Sequence, residues 1–221
     1  LRTDGKENLL TSIELAAAQD DEGRPMVPEV CVFFGQHLFR GNRCTKSNSE
    51  SFNAFTSYNY PVLAKTGINI NYNPAAIRRL SATKPFTFHS EINPNVVALT
   101  LFPGITPRLI NDVMLMPDIK GVILRTFGSG NAPQNLWLLS ALREATRCGK
   151  VVVNISQCLQ GHVEMGRYGT GYQLQEVGVV SGYDSTVEAA VTKLMYLQGK
   201  YDDPDKVRRL MGQSLCGEIT V

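Results

Sequence analysis

Three segments of the 221-residue chain bring together residue types that could do chemistry. The first, Arg40-Gly41-Asn42-Arg43-Cys44-Thr45-Lys46, places three cations and a hydroxyl directly after an apolar run. A lysine with its ordinary pKa near ~10.4 is a poor base at neutral pH. Desolvation lowers that value, and a carboxylate partner can hold the amine in a relay that takes a hydroxyl proton. Two readings are open: a solvated loop, or Thr45 and Lys46 aimed into a pocket. The second segment, Arg125-Thr126-Phe127-Gly128-Ser129-Gly130-Asn131-Ala132-Pro133, has glycines that let backbone N–H groups face an anion or carbonyl near a helix start. Its plainer reading is a turn, with Asn131 as N-cap and Pro133 in the first helical turn. A dinucleotide fingerprint is excluded because its third glycine position holds Pro133. The third segment, Asn154 to His162, contains Ser156, Cys158 and His162, the raw material of a nucleophile and base. It has no nucleophile elbow, and a cysteine at a strand end reads as packing. His37 and His89 lack carboxylate neighbours at metal-ligand spacing and read as surface or core residues.

These segments need elements to position them. Leu9, Leu10, Ile13 and Ala17 recur at helical spacing, so a helix is expected over 7–18. Val30 to Phe34 reads as a buried strand, turned by Gly35-Gln36 into a second over His37 to Arg40. A polar loop follows over 41–51. Between Asn69 and Pro94 the composition shifts to Asn, Pro, Thr and Ser, the mark of a linker with an extended piece in it, and a domain boundary is expected near residue 90. Beyond it strands and helices alternate: strand 96–102, helix 106–116, strand 121–124, helix 133–147, strand 151–155, a glycine-rich loop with a short helix, strand 179–180, helix 185–197 with Ser185 and Glu188 as a capping box, and helix 205–211. Alternation of this kind predicts parallel βαβ units in a layered α/β domain.

Composition narrows the partners. Lysine and arginine total 22 against 20 acidic residues, a formal charge of +2, and pairs such as Arg78-Arg79 and Arg208-Arg209 are isolated, so no nucleic-acid footprint is expected. Five cysteines without a C-x-x-C pair fit neither a disulfide framework nor a zinc site and suggest a reducing cytosol. No apolar run reaches the ~20 residues of a membrane helix, and the polar opening at Leu1 is unlike a signal peptide.

Six ordered blocks give the chain a resemblance: Leu1 to Gly5, Phe39 to Lys46, Ser57-Tyr58-Asn59-Tyr60-Pro61, Leu101 to Ile105, Gly128 to Asn135, and Gly178 to Asp184. Together they resemble the bacterial-type (type I, cytosolic) L-asparaginase family, including the asparaginase domain of animal homologues. The resemblance implies two α/β domains with layered parallel sheets and flanking helices. Residues 1–72 would be the C-terminal part of the catalytic domain, 73–94 a linker, and 95–221 the C-terminal domain. It also implies a cofactor-free, metal-free cytoplasmic amidohydrolase, a homodimer or homotetramer acting on L-asparagine with no nucleic-acid or membrane partner. Lys46 would be the catalytic lysine, and Thr45, Arg125, Asn131 and Cys158 would bind substrate or effector in an allosteric enzyme. The family's threonines lie in T-G-G-T and G-T-D-T segments that these 221 residues do not contain, and Thr83, Thr87 and Thr126 match neither. The chain is therefore expected to be an N-terminally truncated fragment, inactive alone. Two other readings stand beside this one: a non-catalytic asparagine-sensing or oligomerisation module, and the asparaginase-like subunit of a tRNA-dependent amidotransferase.

Overall fold

Helix α1, Gly5–Ala17, follows the apolar spacing and stops at the extended Ala18, but it buries only Leu15. Strands β1, Cys31–Phe34, and β2, His37–Arg40, form a hairpin across Gly35, whose φ of +63° is a conformation that favours glycine. A single 3-10 turn, Gly41–Arg43, leads into β3, Thr45–Lys46, which pairs with β4, Phe55–Thr56. Strands β5, Ala64–Thr66, and β6, Ile70–Tyr72, complete a sheet of order β1-β2-β5-β6. Every described ladder here is antiparallel, which corrects the expectation of parallel sheets for this part. Connections as short as Gly35-Gln36 and Gly67-Ile68-Asn69 allow nothing else, since a parallel crossover needs a dozen or more residues. β1 is half-buried along its whole length, so its continuous apolar run does not make it a buried strand. The computed structural model describes residues 3–79, 87–166 and 169–221. Of the stretch read as linker, residues 73–79 fold back: Asn73 N donates to Leu63 O, and Ala76 and Ile77 join Leu38 and Leu63 in the core. The extended piece expected there lies partly outside the described residues. Leu1–Thr87 and Phe88–Val221 are separate compact units.

In the second unit, β7 (Val96–Thr100), β8 (Gly121–Thr126), β9 (Val151–Ser156) and β10 (Val180–Ser181) form a parallel sheet in sequential order. Helices α2 (Pro107–Leu115), α3 (Leu136–Arg147) and α4 (Gly169–Glu176) alternate with these strands, and α5 (Val187–Lys200) and α6 (Pro204–Met211) follow the last. Alternate residues serve opposite faces. Val122, Leu124 and Val152 pack with Ile110, Met114, Leu138 and Leu142, while Ile123, Val151, Val153 and Ile155 pack with Leu194, Leu197, Val207 and Met211. Both faces are covered, which is why these strands read as unbroken apolar runs. Two caps differ from expectation. Thr186, not Ser185, caps α5 by accepting from Ala189 N, so Glu188 falls one position short of a capping box. Helix α3 begins at Leu136, so Asn131 and Pro133 lie ahead of its first turn.

Two devices hold the ends of this unit. Lys193 and Glu218, 7% and 5% exposed, pair at 2.6 Å and tie the final segment to α5. Burial alone would raise the Glu218 carboxyl, but the N–H groups of Leu215 and Cys216 and the Lys193 ammonium hold it below its ordinary value. Burial pulls Lys193 below its own ordinary value despite that partner. At the other end, residues 91–92 cross α5 at Gly199, where an added Cβ would lie 2.4 Å from Glu91 O. Gly→Ala in an open helix stabilises by about 1 kcal/mol. Here the clash is with backbone, so Gly199→Ala is expected to destabilise by about 1–3 kcal/mol, seen as a lower urea midpoint at unchanged m-value.

Candidate active site

The three cations of the first segment have separate fates. Arg40 and Glu29, 5% and 6% exposed, form a two-pronged ion pair through Nε and Nη2, and Nη2 also donates to Ala76 O. Burial works against the Arg40 guanidinium, but the hydrogen bond and charge of Glu29 outweigh it and raise its pKa. Glu29 further accepts from Arg78 N, and the Tyr60 ring lies 4.3 Å from the Arg40 guanidinium and 4.9 Å from that of the buried Arg43. Tyr60 is fixed in turn by its hydroxyl donating to Ala76 O at 2.8 Å. Gly41 belongs to this frame: its N–H donates to Val30 O, and a Cβ there would come within 2.9 Å of the same oxygen. The arginines are thus structural, which corrects the picture of a loop whose cations are all solvated.

Lys46 is the cation left exposed. It sits in β3 opposite Phe55, with the half-buried Thr45 opposite Thr56. The hairpin is tightened by Ser47, whose N–H donates to Ala54 O and whose hydroxyl meets that of Thr56 at 2.9 Å. Asn48 Oδ1 accepts from Glu50 N and Ser51 N, ordering the loop beyond. The result is an amine on a short, braced ribbon, three residues past a buried arginine anchor.

The other site residues expected from sequence lie in the second unit, at the carboxyl edge of its sheet. Arg125, next to last in β8, faces Thr100, to whose hydroxyl its Nη1 donates at 3.4 Å, while its buried Nε has no partner. Gln157 Nε2 donates to Leu101 O at 2.7 Å and Arg125 O at 3.0 Å, stitching three strand ends together. Asn131 closes the glycine loop on Phe127 through reciprocal backbone bonds, with Gly128 and Gly130 at φ +50° and +104°. The N–H groups of Gly130 and Asn131 are both spent on Phe127 O, so the turn reading holds for this part of the loop. Thr126, Asn154 and Ser156 brace the loop from beneath: Thr126 Oγ1 donates to Asn154 Oδ1, Asn154 Nδ2 to Gly130 O, and Ser156 Oγ to Gly128 O. Cys158 is exposed, with its N–H on Ser156 Oγ, so it is not a packing residue. His162 pairs through Nε2 with Glu164 Oε1 at 2.7 Å. Sequence reasoning missed Glu29, Tyr60 and Gln157. The signals on offer were the carboxylate at position 29 just ahead of an apolar run, the Tyr60 of one resemblance block, and the place of Gln157 in the third segment.

A three-layer α/β/α unit that gathers polar loops at the carboxyl edge of a parallel sheet has the build of a ligand-binding domain. A family model described as Glutaminase/Asparaginase C-terminal domain matches residues 95–211, and one described as Asparaginase, N-terminal matches residues 1–78. The chain belongs to the glutaminase/asparaginase family. It is 41% identical over 228 residues to L-asparaginase 1 of Escherichia coli K12, covering 100% of this chain and 63% of that protein. It is 40% identical over 222 residues to the 60 kDa lysophospholipase of Mus musculus, covering 100% of this chain and 38% of that protein. Its fold matches the crystal structure of L-asparaginase I from Vibrio cholerae with a TM-score of 0.91 at 41% identity, over 100% of this chain and 64% of that one. The chain thus spans less than two thirds of the length of these relatives.

Proposed function

We infer that the protein carrying this chain is an L-asparaginase, converting asparagine and water to aspartate and ammonia. The observation that supports this most is the division of the Arg40–Lys46 segment into two buried arginines that build a frame and one exposed lysine braced upon it. In this reading a family threonine outside these 221 residues attacks the side-chain amide carbon. Ammonia leaves, and water cleaves the resulting ester. Lys46 takes the hydroxyl proton in a relay with the family's Thr-Asp pair. The same proposal assigns residues 1–72 to the catalytic domain, 95–221 to the C-terminal domain, and Thr45, Arg125, Asn131 and Cys158 to substrate or effector binding in a cytoplasmic homodimer or homotetramer. The unpartnered Nε of Arg125 suits a ligand carboxylate, which a guanidinium binds in a fork.

Ammonia release from asparagine, compared between this chain and a chain extended to include T-G-G-T and G-T-D-T segments, tests the reading. Turnover is expected only from the extended chain. Glutamine and lysophosphatidylcholine serve as further substrates, because the relatives include proteins named as an amidotransferase subunit and as lysophospholipases. Exclusive hydrolysis of either alternative would overturn the asparaginase assignment.

A further inference from the structure

A second polar site lies at the opposite edge of the parallel sheet, among the amino ends of β8 and β9. A cavity of about 450 Å³ opens there, with Met114, Leu115, Pro117, Val151 and Val207 in its apolar wall. Lys150 lines it and is only 7% exposed. Its ammonium donates to Met116 O and Ile119 O, each at 2.5 Å, just beyond the last turn of α2. An ammonium carries three donors, so one remains. Among the described residues no carboxylate lies within ion-pair distance of it. The two carbonyl dipoles supply partial charge only. Burial, and then the charge of Lys120 on the same cavity, hold Lys150 below its ordinary pKa against the opposing pull of Cys148 and Asp118. Gln198 is an independent second observation: the residue lines the cavity, and its Oε1 is buried with no hydrogen-bond partner. A buried cation without a counter-ion and a buried acceptor without a donor, on one cavity, are complementary to a single kind of molecule.

We propose that this cavity binds a small organic monoanion bearing a hydroxyl. Its carboxylate meets the Lys150 and Lys120 ammonium groups, its hydroxyl donates to Gln198 Oε1, and a short aliphatic body lies on Met114, Leu115 and Val207. Asp202, which also lines the cavity, opposes added negative charge, so a monoanion is favoured over a dianion.

The test is a calorimetric titration of the protein with α-hydroxyisocaproate at low ionic strength. Isocaproate, which lacks the hydroxyl, and α-hydroxyisocaproamide, which lacks the charge, are run beside it. Saturable binding at one site per chain is expected for the hydroxy acid, weaker binding for isocaproate and none for the amide. Lys150→Gln and Lys120→Gln should each weaken the hydroxy acid about tenfold, and Gln198→Leu should bring it to the level of isocaproate. Lys120 is exposed, so its variant keeps the fold and the test does not depend on the Lys150 variant. No saturable binding, binding undiminished by Lys120→Gln, or equal binding of the amide would each overturn the proposal.

Discussion

Lys46→Ala in the extended, catalytically complete protein is expected to lower kcat for asparagine by at least about 10³–10⁴-fold while KM changes little, the pattern of a group needed in the transition state and not for substrate binding. On the proposed mechanism, the physical reason is the loss of the proton acceptor in the relay. Lys46→Arg separates this role from simple electrostatics. A guanidinium keeps the charge and the length but does not deprotonate in proteins, so the arginine variant should be as impaired as the alanine one. An unimpaired Lys46→Ala enzyme, or full rescue by arginine, would remove Lys46 from the relay. The side chain is exposed at the end of a two-residue strand, so unfolding is not a competing explanation. Coincident urea transitions of the variant and the parent would check that point.

The second large effect is on stability. Glu29→Gln leaves the Arg40 charge buried at 5% exposure without its counter-charge, and is expected to cost the first unit about 3–5 kcal/mol. The loss arises from the uncompensated cation more than from the missing bond. Glu29→Leu combined with Arg40→Met should therefore be less destabilising than Glu29→Gln alone, despite removing more polar contacts. Urea unfolding of the set of variants decides it. A double variant worse than the single one would mean that the pair's bonds to Ala76 O and Arg78 N, and not its charges, hold the segment.

The second unit was the more legible part of the sequence, because each of its elements carries its own signal. Val122, Ile123 and Leu124 need two covered faces, and Thr106 caps α2 where a hydroxyl precedes proline, accepting from Leu109 N. The first unit offered less. Strand β6 lies in a stretch whose Asn and Gly content argues against a strand, and it exists because β5 offers it a ladder three residues away. The candidate site divides in the same manner. The Lys46 loop stood out by residue type and position after a strand, which are local properties, whereas the role expected of Arg125 came from the family resemblance. The burial of Arg40 was not, because it depends on Glu29 eleven positions upstream and on the Tyr60 ring, both brought in by tertiary folding. The exposure of Cys158 was misjudged for a related reason: Ser156, the last residue of β9, holds the Cys158 N–H with its hydroxyl, and the cysteine lies past the strand in the exposed loop.

The unequal burial of Arg40, Arg43 and Lys46 bears on how dissolved salt would act. Mobile ions screen exposed charges over a Debye length of about 8 Å at physiological ionic strength and reach buried pairs far less. Adding salt therefore attenuates the field of the lysine while the Arg40–Glu29 frame beneath it stays at nearly full strength. Ionic strength thus divides these three cations: it acts on Lys46 and leaves Arg40 and Arg43 almost untouched.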